Sequence, residues 1–332
     1  MNKLRFAAKS LIHGAIDWSG RPHQRRQQLR GSLIILTYHS FCTDWPRGLF
    51  NSLPIDRFER QLRFLRENFT LVSLEQGLTY LQQGQSDDRP WVAITIDDGF
   101  QDNYTHAWPV LQQHSVPATI FLATDFIDTG RPPWPTQLVE VLERTQLQKI
   151  EAPFKATLDS LAARSAVARQ IKKEWSPLPP MERFEKLKEL REHLRVDEAP
   201  NNFPLTWAQV HEMQSGGIRF GSHTVYHSIL SEVDQTVVAQ ELRDSKHRIE
   251  AELQEPCALF AYPDGKHNGL SKAALGLCGY QAAVTQDPGC NNNTNEWLEL
   301  KRIEIPFNDP IPSFRCRTSL ALTSNRRIEN GS

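Results

Sequence analysis

Two aspartates and two histidines carry the chemistry that this chain could do. Asp97 and Asp98 stand side by side after the apolar run Val92-Ala93-Ile94-Thr95-Ile96, and His223 and His227 are four residues apart in SHTVYHSILS. Adjacent carboxylates repel, and Asp-Gly alone is an ordinary turn dipeptide. A spacing of four places two imidazoles on one face of a helical turn, close enough to share a cation, although the pattern alone is weak. A carboxylate from a different strand end would complete a His₂-carboxylate set, which suits catalytic zinc with an open position for water. A cation would then hold one aspartate ionised and bound, while the other stays free to take a proton. On this reading the aspartate pair is one metal ligand and one base, a combination that activates water.

These groups need a scaffold that brings distant segments to one place. Seven short apolar stretches recur at 33–38, 92–96, 118–122, 218–222, 258–261, 281–284 and 300–305, with helix-like segments at 56–68, 105–114, 235–253 and 270–278 between them. Strands alternating with helices predict a parallel sheet with βαβ crossovers. In such sheets function gathers at the carboxyl ends of the strands. Four of the seven ends carry capable groups: Tyr38-His39-Ser40, Asp97-Asp98-Gly99, His223 to His227, and Tyr262-Pro263-Asp264-Gly265. Residues 131–206 break the alternation, with helical periodicity near 136–145, 158–174 and 181–194 and prolines between. They predict a helical insertion between strands three and four. Its Glu, Lys and Arg residues predict a solvated face rather than a lid, since no aromatic cluster there would stack a substrate.

Composition narrows the class. A chain of 332 residues with 39% hydrophobic and 23% charged residues is globular, and a net charge of −1 argues against a nucleic-acid binder with a basic domain. No stretch approaches the roughly 18 unbroken apolar residues of a membrane span. Five cysteines without CxxC spacing fit reduced thiols. The N-terminus lacks the unbroken apolar core of a secretory leader, because Arg5, Lys9 and His13 interrupt it, so the cytoplasm is the expected compartment. Residues 1–30 nevertheless form a basic amphipathic segment, with Leu4, Ala8, Leu11, Ile12, Ala15 and Ile16 at helical spacing. Such a helix suits either the inner, anionic face of a membrane or the outside of the barrel. The expected organisation is this segment, an α/β domain over 31–320 that contains the 131–206 insertion, and a tail over 321–332.

In their order, ITIDDG, SHTVYHSILS and FAYPDG, each following a strand, resemble the first three motifs of the polysaccharide deacetylase family, carbohydrate esterase family four, the chitooligosaccharide-deacetylase homology group. The preceding LTYHSF is similar to its branch related to exopolysaccharide biosynthesis. The resemblance spans about residues 31–305 and implies a distorted (β/α)7 barrel. It further implies one divalent cation per chain, zinc or another transition metal, held by Asp98, His223 and His227, with Asp97 as general base. Ser222 and Thr224 would position the histidines or bind the substrate's rim. Tyr262 and Pro263 would shape the groove wall, and the Asp264 backbone N–H would stand where the family points an oxyanion donor. The implied reaction is hydrolytic removal of N-acetyl groups from an amino sugar in a polysaccharide, oligosaccharide or glycan precursor.

The departures from the family are as specific as the matches. Its third motif commonly carries an arginine that orients the base, and Ala261 stands there; Arg302 in LKRIEI is the candidate substitute. No histidine follows His267, so the late-strand general acid is missing and His39 is the substitute. Asp264 stands where tyrosine is frequent. These departures leave a second reading, an impaired barrel that binds saccharide without turnover. A phosphoesterase would show more metal ligands, often for two cations.

Overall fold

The computed structural model describes residues 21–44, 52–150, 155–197 and 203–320. Residues 1–20 of the amphipathic segment and the 321–332 tail lie outside the described residues. Seven strands form one parallel sheet: β1 (Leu33–Tyr38), β2 (Trp91–Asp98), β3 (Ala118–Leu122), β4 (Arg219–Ser222), β5 (Leu259–Ala261), β6 (Ala282–Val284) and β7 (Ile303–Glu304). Their spatial order is β6-β5-β4-β3-β2-β1-β7, and the extra strand Thr70–Leu71 pairs with the start of β2. The segment leading into β7 closes the ring. Thr285 N–H donates to Leu300 O at 2.8 Å and Arg302 N–H to Asp287 O at 2.9 Å, after which Ile303 pairs with Leu36 of β1. The barrel is distorted because β7 contributes only two paired residues to that last ladder.

Strand alternation sorts the apolar residues into two cores, since successive side chains point to opposite faces. Ile34, Leu36, Val92, Ile94, Ile96, Ile120 and Phe260 pack outward under the helices. Leu33, Ile35, Ala93, Phe121, Leu259, Ala261 and Val284 fill the interior with Leu74, Leu78 and Leu81 of the helix Leu74–Gln82. Burial on both faces explains why these strands read as continuous apolar runs. The helix Leu74–Gln82 escaped the periodicity analysis, although Ser73 and Gln76 form a capping box at its start.

Between β3 and β4 lie the helices Trp134–Arg144, Leu161–Trp175 and Pro180–His193, with a small antiparallel pair, Lys149–Ile150 and Ala156–Thr157. They have a core of their own in which Trp134, Val141, Ile171, Trp175, Leu187 and Leu190 are buried. The helix Arg21–Gln28 packs on the barrel's outside beside Ile311–Leu320, where Arg26 donates to Ser319 Oγ at 2.6 Å and lies over Phe64 and Phe69. Among the described residues, no helix is long and apolar enough to cross a membrane.

Candidate active site

The alternation that sends Ile94 and Ile96 outward sends Thr95 and Asp97 into the barrel, where Asp97 is 1% exposed. Arg302 meets it there, itself fully buried. Its Nη1 donates to Asp97 Oδ1 at 2.8 Å and its Nη2 to Oδ2 at 2.7 Å. Nη1 also donates to Thr95 Oγ1 at 3.2 Å and Nε to Thr285 O at 2.7 Å, so the guanidinium is fixed on three sides. Burial pushes the Asp97 carboxyl up, but the charge of Arg302, aided by His223, outweighs it and holds the pKa below the ordinary carboxylate value.

Asp98 leaves the strand with φ +79°, which turns its side chain away from the ladder toward the histidines. Its Oδ1 lies 3.5 Å from Nε2 of His223 and 3.5 Å from Nε2 of His227. That is too long for a good hydrogen bond, and this buried oxygen has no hydrogen-bond partner. His223 Nδ1 lies 2.7 Å from Ala261 O. A carbonyl only accepts, so Nδ1 carries a proton; burial lowers the pKa of this ring but Asp98 and Asp97 raise it by more, and in the neutral form Nε2 presents its lone pair to the site. Burial lowers the His227 pKa to about 4, against the pull of Asp98, so that ring is neutral at pH 7, as a ligand must be.

The three donor atoms lie within 4.8 Å of one another. Donors bound to one tetrahedral cation at 2.0–2.1 Å stand about 3.3–3.4 Å apart, close to the two contacts of Asp98. The orphaned oxygen, the oriented lone pair and the His₂-carboxylate chemistry all fit a single divalent cation.

The His223–His227 segment is not the helical turn that its spacing predicts. It is an irregular loop, with φ +71° at Thr224 and +53° at His227. Non-glycine residues in the left-handed region cost roughly 1–3 kcal/mol each and persist where surroundings enforce them. Here Glu241, buried on the helix Gln235–Leu253, accepts from Val225 N–H at 2.6 Å and Tyr226 N–H at 3.0 Å. Thr124 N–H and Asp125 N–H donate to the carbonyls of Thr224 and Val225. Ser222 and Thr224 are buried without access to a rim; Ser222 Oγ pairs with Ser245 Oγ at 2.8 Å, beneath the loop.

His39 follows β1 at the mouth of the site, its side chain 32% exposed and its Nε2 4.0 Å from Asp97 Oδ2. The clamp on its loop was missed from the sequence. Ser40 Oγ donates to Asp102 Oδ2 at 2.5 Å, and Asn103 Nδ2 donates to His39 O at 2.8 Å. Burial pushes the Asp102 carboxyl up to about 7 despite those donors. The only sequence signal is the continuation of DDG into Phe100-Gln101-Asp102-Asn103.

Two further expectations are corrected. Tyr262 and Pro263 are buried, and the Tyr262 hydroxyl is engaged with Leu298 O at 3.0 Å. They support the backbone of the turn rather than forming an accessible groove wall. At that turn Asp264 adopts φ +55°, and a Cβ on Gly265 would meet Gln286 N at 2.3 Å. The 131–206 segment, in turn, is more than a solvated face. A cleft of about 540 Å³ lies over the site, lined by His39, Asp98, Pro135, Leu138, Arg169 and Lys172 among others, so two of the helices wall it. Lys172 Nζ reaches Asp264 Oδ2 at 2.9 Å. Burial would raise the Asp264 pKa, but the opposing charges, that of Lys172 first among them, together hold it below the ordinary carboxylate value.

Ionisable groups gathered at the carboxyl ends of a closed parallel barrel define the class: a barrel enzyme with its site at the strand ends. Known proteins narrow this. A family model described as polysaccharide deacetylase matches residues 84–283. The chain belongs to the polysaccharide deacetylase family and is an N-deacetylating hydrolase. YxkH of Bacillus subtilis (strain 168) is 23% identical over 274 residues, covering 82% of this chain and 71% of that protein. Among solved structures, the Streptococcus pyogenes deacetylase PplD in complex with acetate shares the fold with a TM-score of 0.61 at 22% identity, over 87% of this chain and 98% of that one. IcaB from Ammonifex degensii does so with a TM-score of 0.56 at 17% identity, over 88% and 97%.

Proposed function

We propose that this protein removes N-acetyl groups from an amino sugar of a glycan, using one divalent cation, zinc by preference, held by Asp98, His223 and His227. The observation that carries the reading is the unpartnered Asp98 oxygen between two imidazole nitrogens, beside a second carboxylate that Arg302 keeps ionised. When bound, the cation polarises the acetyl carbonyl and lowers the pKa of a water toward about 7. Asp97 accepts the water's proton as the oxygen attacks the carbonyl carbon. The Asp264 N–H is offered to the oxyanion that forms, a type of stabilisation that is usually the largest single term. His39 delivers a proton to the amine nitrogen as the C–N bond breaks, leaving acetate and a free amino sugar.

Arg302 bears on the choice between turnover and mere binding. The non-catalytic alternative drew on the missing third-motif arginine, and Arg302, immediately before the last strand, brings a guanidinium to the same carboxylate. Its removal gives a pH-dependent signature. Asp97 must be ionised to work, and its lowered pKa keeps it so on the acid side of neutrality. In Arg302→Met burial would lose its largest opponent and the pKa would rise. The acid limb of kcat/KM is therefore expected to move upward by more than a pH unit, measured as acetate release between pH 4 and 9. An unmoved limb would remove Arg302 from this role.

The test of the function is acetate release from a panel of N-acetylated glycans and oligomers of N-acetylglucosamine, with and without a chelator. Chelation should abolish release and added zinc restore it. In the same assay His39→Ala should lose about 10²-fold or more in rate with its zinc content unchanged. Wild-type kinetics in that variant would discard His39 as the acid.

A further inference from the structure

Arg183 is the largest buried charge that this chemistry leaves unused. It sits on the helix Pro180–His193, in the segment between β3 and β4, and is 1% exposed. Its guanidinium lies 5.5 Å over the Trp134 ring of the neighbouring helix, and its Nη2 donates to Ser228 Oγ at 2.7 Å. Ser228 directly follows His227, and its hydroxyl donates in turn to Glu241 Oε1. The other Glu241 oxygen holds the Val225 and Tyr226 amides. Arg183 Nε and Nη1 have no hydrogen-bond partner, so the group is retained at a cost that packing alone does not require.

We infer that Arg183 is a positioning residue for the cation cage: through Ser228 and Glu241 it locks the His223–His227 loop, making the helical segment a structural part of the site. The inference rests on the proposed cation triad. The reasoning is geometric. His227 holds a left-handed backbone conformation, which its surroundings must enforce. The chain Arg183–Ser228–Glu241 braces the residues on both sides of it. Partners that orient metal ligands are worth roughly 10–100-fold in metal affinity when removed. Arg183 differs from such partners in coming from outside the barrel strands and their own helices.

The experiment is zinc affinity of the apo full chain, by competition with a chromophoric chelator, at a temperature where circular dichroism shows each variant folded. Arg183→Met should bind zinc about 10-fold or more weakly, and Arg183→Lys, which keeps a donor, should recover part of the loss. Ser228→Ala removes the link with little change in volume and serves if Arg183→Met does not fold; it too should bind more weakly. Wild-type zinc affinity in a folded Arg183→Met, or in Ser228→Ala, overturns the inference while leaving the triad standing. Failure of the wild-type chain to bind zinc overturns the triad and this inference with it.

Discussion

Asp97→Asn should reduce acetate release by about 10²–10⁴-fold, the usual contribution of a positioned base, while zinc stays near one per chain. The amide is nearly isosteric with the carboxylate, so the cage at Asp98, His223 and His227 keeps its donors. It lacks the charge and basicity needed to take a proton from water. The substitution has a second consequence, because it leaves the fully buried Arg302 without its anionic partner. Breaking a buried pair in this way costs about 3–5 kcal/mol, so the melting temperature should fall as well. Activity is therefore to be compared at a temperature where both proteins are folded, with zinc measured on the same sample. Retained turnover in a folded, zinc-loaded variant would end the assignment of Asp97 as base.

His227→Ala should lose most of the zinc and, with it, the deacetylase activity. Alanine removes one of the three donors and leaves Asp98 Oδ1 facing a single imidazole. The effect separates from misfolding through ligand linkage. A ligand present at 100 times its Kd stabilises the native state by about 2.7 kcal/mol, so zinc should raise the melting temperature of the apo wild type. It should leave that of His227→Ala unmoved. Equal zinc-dependent shifts in the two proteins would show that the ion binds elsewhere.

Much of this site was legible because strands report themselves locally. Each of the seven barrel strands coincides with an apolar run, and the strand-end rule pointed to His39, Asp97, Asp98, His223, His227 and Asp264 before any coordinates. Asp98, Leu122, Ser222 and Phe260 are register partners across four adjacent strands. That level stacking is what turns separate motifs into one site. The HxxxH spacing was misleading for a physical reason. A spacing of four is satisfied by a helical turn, but also by a strained loop that a distant glutamate holds.

What the chain determines alone is which faces are apolar, where strands stop and which side chains stand at the stops. Only the closed barrel decides that Arg302 crosses to Asp97, that Lys172 reaches Asp264 and that Asp102 clamps the loop of His39. Those pairings join elements far apart in the chain. Hydrophobic periodicity fixes how each element turns toward the core and carries no information about which loops then meet above it.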